Sequence, residues 1–310
     1  MAVMRKVLLA ASTNAWLRER ATKSALVHRS VSRFMPGERL EDGIAAATRQ
    51  QTQGVASMLT RLGENLTTAA AAEEVTRHYL GALDRIAASG LDTEISVKPT
   101  QLGLDIDIEL CFRNLHRLID RAAGLDNFVW LDMESAGYVD RTLDLFRRAR
   151  ARSAPVGVAL QAYLYRTERD VESLLPLGPS IRLVKGAYLE SPSIAYSKKP
   201  DVDENYQALA CQILREHARQ AETFLQIATH DERLIAKLSA DIAEHQIQPS
   251  GYEFAMLYGI QDRLQRRLVT SGRRLRVLIS YGEQWFPWYM RRLAERPANM
   301  MFVLRNVFNR

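Results

Sequence analysis

At 310 residues, 47% hydrophobic and 25% charged, the chain has an ordinary globular composition and enough length for one large α/β domain or two smaller ones. Its net charge of +6 is concentrated before Pro36, where Arg5, Lys6, Arg18, Arg20, Lys23, Arg29 and Arg33 face Glu19 alone; the near-neutral remainder excludes a basic stripe for nucleic acid. No apolar run reaches membrane-spanning length, and Cys111 and Cys211, without CxxC spacing, define neither a disulfide framework nor a zinc site, which fits a reducing cytoplasm.

The first segment, with "VLLAAS" after Arg5 and Lys6, is short for a secretory signal and is broken by Asn14. Its Arg-rich, acid-poor character also suits a transit peptide or a membrane-surface helix; the reading adopted is an N-terminal helical extension over residues 1–54. From there the chain alternates short apolar runs with helical patterns. The expected strands are "VASMLTRLGE" (55–64), "EISVK" (94–98), "NFVWLDM" (127–133), "PVGVALQAY" (155–163), "SIRLVKGA" (180–187), "TFLQIATH" (223–230), "YEFAMLYG" (252–259) and "RLRVLISYG" (274–282). Between them, "DIDIELCFRNLHRLIDRAAG" keeps Ile108, Cys111, Leu115, Leu118 and Ala122 on one face and stops at Gly124, and "DERLIAKLSADIAEH" opens on Asp231 as an N-cap. Both cysteines fall in such helical patterns and read as small packed hydrophobes. Eight β–α units over about 250 residues predict an α/β fold of the (βα)8 type, one catalytic barrel spanning 55–310.

In such a barrel the site lies at the C-terminal strand ends, which here bring Glu64, Lys98, Asp132, Gln161, Lys185, His230 and Tyr281 to one mouth. Within "IRLVKGAYLE", Arg182 and Lys185 are charges in a strand context, where each needs a partner or a ligand. The other histidines (28, 78, 116, 217, 245) lie in helical patterns or the N-terminal region, so His230 reads as a cofactor contact or helix cap and no metal is expected. GxSxG, Walker A and GxGxxG are absent, which removes the fingerprints of the serine hydrolase, P-loop and Rossmann classes but leaves a barrel-bound flavin open. In "WFPWYMRRLAERPANM", Arg291 and Arg292 stand beside Glu295 and among Trp285, Trp288 and Tyr289. Adjacent guanidiniums either pair along the helix surface or clamp a carboxylate.

Together "LGE", "RLVKGAY", "ATHD" and "YMRRLAE…PAN" resemble the monofunctional, bacterial-type proline dehydrogenases, with the likeness running from "FMPGERLED" (34–42) to "RN" at 305–306. The resemblance implies a distorted (βα)8 barrel with its last helix over the mouth, and non-covalent FAD. It also implies oxidation of L-proline to Δ1-pyrroline-5-carboxylate by hydride transfer to flavin N5, with electrons passed to a membrane quinone. By motif, Arg182 would approach N5 and Asp132 would lie in the active site near Lys98. Met133, Gln161, the Lys185–Gly186–Ala187 turn, Thr229 and His230 would contact FAD. Arg291, Arg292 and Lys98 would take the proline carboxylate, Tyr281 and Leu257 would wall the ring, Glu295 would complete the helix side, and Glu64 with Arg291 would gate the site. The implied setting is cytoplasmic, peripheral at the inner membrane face. Two positions depart from the family's pattern: Trp288 stands where Tyr is common, and Ala255 where some members have Gln. The rival readings are a Schiff-base or phosphate-binding barrel lyase using Lys98 or Lys185, and a non-catalytic membrane-associated binding module using the basic N-terminus.

Overall fold

Alternate residues of each strand segment are apolar, and these residues build the wall between strands and helices. The computed structural model describes residues 31–152, 155–220 and 222–295. Its eight strands are β1 (Ala56–Arg61), β2 (Thr93–Val97), β3 (Val129–Leu131), β4 (Val156–Gln161), β5 (Ser180–Val184), β6 (Phe224–Ala228), β7 (Tyr252–Leu257) and β8 (Leu275–Tyr281). All pair in parallel in chain order, and β1 closes on β8 with Ala56 opposite Arg276 and Arg61 opposite Tyr281. The helices are α1 (Leu40–Gln51), α2 (Ala69–Ala88), α3 (Ile108–Ala123), α4 (Val139–Arg150), α5 (Thr167–Leu174), α6 (Lys199–Gln220), α7 (Glu232–Glu244), α8 (Asp262–Thr270) and α9 (Trp285–Glu295). The eight expected strands are all present, each shorter than its apolar run except β2, which keeps five residues and starts one earlier. β3 keeps only three residues of "NFVWLDM". The expected N-caps and stops hold: Asp231 accepts from the Arg233 amide, and Gly124 closes α3. The basic segment before residue 31, and residues 296–300 of the expected last helix, lie outside the described residues.

Strand parity divides the residues cleanly. Leu59, Ile95, Val97, Val129, Leu131, Val158, Leu160, Ile181, Leu183, Leu225, Ile227, Phe254, Met256, Val277 and Ile279 are buried in one continuous core with the helices. The opposite parity points into the barrel, as side-chain bonds between non-adjacent strands require: Arg182 of β5 reaches Met58 of β1 and Ser96 of β2. Helix α1 packs on the wall between β8 and β1, where Gly43 lies against Leu59 and Tyr281. Helix α9 instead joins a separate apolar cluster at the strands' C-terminal end, in which Trp285, Phe286, Trp288 and Tyr289 pack with Val31, Phe34, Met35 and Leu62. The Trp285 indole donates to Glu38 Oε1 at 2.8 Å.

One glycine makes room for the site above it. A Cβ on Gly157 of β4 would sit 2.5 Å from Cζ3 of the Trp130 ring. Gly157→Ala is therefore expected to destabilise the barrel by about 1–3 kcal/mol through overpacking, read as a lower urea midpoint with unchanged slope.

Candidate active site

Three interior positions near the mouth carry charge. Lys98 follows β2, Asp132 follows β3, and Arg182 is the central interior residue of β5. Lys98 Nζ lies 2.7 Å from Asp132 Oδ2, and Arg182 Nη1 lies 2.9 Å from Asp132 Oδ1. Ser96 Oγ donates to the same Oδ1 at 2.7 Å and accepts from Arg182 Nη1 at 3.0 Å. The Arg182 guanidinium sits over the Trp130 ring at 4.6 Å and is 4% exposed; Lys98 and Asp132 each keep 15% of their side chains open to the mouth. Two cations thus share one carboxylate.

Burial alone would raise the Asp132 carboxyl, but the Lys98 and Arg182 charges outweigh it and hold the group below its usual range. Burial likewise disfavours the Lys98 ammonium, and the Asp132 charge overrides it and holds the amine protonated. Because the folded-state carboxyl is depressed, its contribution to stability is complete above the unfolded carboxylate range, about pH 4. It is lost as pH falls through the lower folded value. Wild type should therefore lose stability on acidification more steeply than Asp132→Asn, measured by urea unfolding between neutral and acid pH.

Beneath this layer lies a chain of polar groups that the strand patterns did not flag. Arg182 Nε donates to Gln226 Oε1 at 2.5 Å, and Gln226 Nε2 donates to Glu253 Oε1 at 2.6 Å. Arg276 Nε lies 2.9 Å from Glu253 and 3.3 Å from Glu94, whose other contact is the Trp130 indole N–H at 2.7 Å. Burial, opposed by Arg276, pushes the Glu94 carboxyl up to about 7. A signal for this layer existed: Glu94, Gln226, Glu253 and Arg276 all hold the interior parity of their strands.

The other residues singled out from sequence fall into three groups. Met133 and Thr229 are buried at the mouth, Gln161 is 3% exposed, and Leu257 is the last interior residue of β7 with its amide donating to His230 Nε2 at 2.9 Å. Gln161 Nε2 donates to the Glu134 carbonyl at 3.0 Å, while its Oε1 has no hydrogen-bond partner among the described residues. Gly186 has φ +115° and a Cβ there would strike the Tyr163 ring, so the turn leading to Ala187 needs glycine. Ala255 is buried inside β7, and Trp288 belongs to the α9 cluster.

Two expectations need correction. Tyr281 shares the parity of Val277 and Ile279, so it points outward, packs against α1 and bonds His78 Nε2 at 2.8 Å; Arg276, Leu278 and Ser280 are the β8 residues that face inward. Lys185 also has outward parity, and its ammonium is held by Asp203 at 2.5 Å and Asp231 at 2.9 Å. Cys111 is buried as expected, whereas Cys211 is half-buried with Sγ 3.1 Å from Asp241 Oδ2.

Glu64 lies three residues past β1 and is half-buried. Arg291, Arg292 and Glu295 belong to α9, but their side chains lie outside the described residues, and with them the expected gate between Glu64 and Arg291. Among the described residues no group of three or more His, Cys, Asp or Glu could hold a metal ion.

A closed parallel barrel with a cationic, hydrogen-bonded mouth at its C-terminal end defines the class as a (βα)8-barrel enzyme. The family model described as Proline dehydrogenase matches residues 44–305. Proline dehydrogenase 1 of Bacillus subtilis (strain 168) is 35% identical over 309 residues, covering 99% of this chain and 100% of the relative. Proline dehydrogenase of Deinococcus radiodurans is 38% identical over 280 residues and 89% of each chain. The chain belongs to the proline dehydrogenase family, in its monofunctional bacterial form. The fold matches that of proline utilization A from Bdellovibrio bacteriovorus inactivated by N-propargylglycine, with TM-score 0.81 at 22% identity over 91% of this chain. This chain corresponds to 34% of that longer protein.

Proposed function

We propose that this chain oxidises L-proline to Δ1-pyrroline-5-carboxylate with non-covalent FAD and passes the electrons to a membrane quinone. The observation that carries the reading is the Lys98–Asp132–Arg182 triad at the mouth, in a chain of this family. Proline brings a carboxylate, which needs cations, and an apolar ring, which needs a dry slot. We assign the carboxylate to Arg291, Arg292 and Lys98, with Glu295 beside them, and the ring to Leu257. The flavin fits what is present. Gln161 Oε1 is a buried acceptor with no partner among the described residues, suited to the ring N–H that a flavin offers. Met133, Gly186, Ala187, Thr229 and His230 complete the proposed cofactor contacts. When bound, FAD supplies the acceptor for hydride from the ring carbon beside the proline nitrogen.

Arg182 is placed on the N5 side, where its fixed positive charge would favour the electron density the cofactor gains. Asp132 holds both Lys98 and Arg182 in place and keeps them charged. The Schiff-base alternative loses support, because Asp132 keeps the Lys98 amine protonated and Lys185 is paired with two carboxylates. The division into a 1–54 extension and a 55–310 catalytic barrel, and a cytoplasmic location with peripheral membrane contact, belong to the same proposal. No described helix is long and apolar enough to cross a membrane.

Acid precipitation should release all the bound colour as FAD; colour kept in the pellet, or FMN in the supernatant, contradicts the cofactor assignment. Arg292→Met should raise the proline KM by the equivalent of about 3 kcal/mol, the worth of a charged hydrogen bond left unmade, with FAD content unchanged. A KM within about twofold of wild type would remove Arg292 from the carboxylate clamp. Glu64→Ala should weaken proline binding by only about 1 kcal/mol, the worth of a partly exposed pair, with the flavin reduction rate at saturating proline unaltered. A large fall in that rate would place Glu64 in the chemistry instead of a gate.

A further inference from the structure

The barrel holds a second charged layer below the mouth, made by Glu94, Glu253 and Arg276. Glu253 is 2% and Arg276 4% exposed. Arg276 Nη1 also donates to the Ser57 carbonyl at 3.0 Å and to Asp92 Oδ1 at 2.9 Å, which fixes this layer to the start of β1 and the loop before β2. A fully buried neutral side chain, Gln226, joins it to Arg182. The bonds have one possible sense. A guanidinium only donates and a carboxylate only accepts, so the Gln226 amide must turn its oxygen to Arg182 and its nitrogen to Glu253. Glu253 in turn is oriented by Arg276. The Nε edge of Arg182 is therefore aimed by a relay whose far end is anchored in the barrel floor. Above, Asp132 and Ser96 hold only the Nη1 corner.

We propose that Gln226 and Glu253 are positioning residues for the reaction at the mouth, fixing the plane and height of the Arg182 guanidinium. The proposal rests on the reading that places Arg182 beside the flavin. Neither residue reaches the mouth itself, so a purely structural role would change stability and leave the cofactor's properties alone.

The test compares holoenzyme carrying Gln226→Leu, Glu253→Leu, Glu253→Gln or Arg182→Met. The readouts are kcat and KM for proline, the FAD midpoint potential, and hydrogen exchange of the Arg182 Nε–H by nitrogen-15 NMR. Arg182→Met identifies that resonance by its loss. Gln226→Leu should lower kcat about tenfold to a hundredfold, the cost of misplacing a group by about an ångström, with KM within about threefold. Its midpoint potential should become more negative, by about 30 mV for a tenfold weaker hold on the reduced form, and the Arg182 Nε–H should exchange faster. Glu253→Leu should do the same. Glu253→Gln should stay near wild type, because Arg276 still forces an oxygen toward itself and Gln226. Should Gln226→Leu not fold, Gln226→Asn, one methylene too short to span the gap, carries the same expectation.

If Arg182→Met shifts potential and kcat while the Gln226 and Glu253 variants do not, the positioning role is wrong and the Arg182 reading stands. If Arg182→Met leaves both unchanged, the Arg182 reading fails and the positioning role with it.

Discussion

Asp132→Ala should destabilise the protein by about 3–5 kcal/mol, the range found when one partner of a buried ion pair is removed. The cost arises because Lys98 and Arg182 would then face each other without the carboxylate that now accepts from both. Ser96 loses its acceptor in the same step. Proline oxidation should fall with it, since two cations that repel no longer hold their places. Asp132→Asn separates these effects. It keeps the shape and one acceptor oxygen but surrenders the charge, so it should retain more stability than Asp132→Ala while still losing activity. Urea unfolding and steady-state kinetics on both variants check this; an Asp132→Ala protein as stable as wild type would show that the triad is not a coupled unit.

Arg182→Met should behave differently. Asp132 keeps Lys98 and Ser96 as partners, and the methionine fills apolar space beside Met58 and Trp130. The buried acceptor that loses its donor, Gln226 Oε1, is neutral and costs less to leave unpaired than a charge. The stability cost should therefore be clearly smaller than for Asp132→Ala. Turnover should drop about a hundredfold to a thousandfold, the loss typical of removing one preorganised charge-stabilising group. It should appear in kcat, with the proline KM little changed, because the carboxylate clamp is assigned elsewhere. Stopped-flow measurement of flavin reduction at saturating proline is the direct readout. A large rise in KM at unchanged kcat would move Arg182 from the chemistry to substrate binding.

The barrel was legible because its wall is written in strand periodicity: alternate apolar residues in eight short runs, separated by helical patterns, leave few other folds open. The strand ends were less legible. The apolar runs continue into the mouth, where residues such as Lys98, Asp132 and Met133 leave the ladder to build the site, so the runs reach past the ends of their strands. Parity decides which mouth residues face a ligand, and it explains both misplaced ones. Lys98, Asp132, Gln161, Arg182 and His230 have the parity of interior residues. Tyr281 and Lys185 have the opposite parity, and their side chains go to His78 and to the Asp203–Asp231 pair. The Gln226–Glu253–Arg276 relay is not legible in the sequence, because a polar residue inside a strand does not by itself show which strand holds its partner. It links the neighbouring strands β6, β7 and β8, and only the bonds of Arg276 to the Ser57 carbonyl and to Asp92 need β8 to close on β1. Sequence also cannot orient α9, whose arginines carry the substrate assignment.

The most direct measurement is the visible absorbance spectrum of the purified protein, recorded without oxygen before and after adding L-proline. The result expected is a flavin spectrum that bleaches on adding L-proline and returns when a quinone is supplied. A protein without flavin bands, or with bands that L-proline leaves untouched, would contradict the assignment of this barrel as an FAD-dependent proline oxidiser.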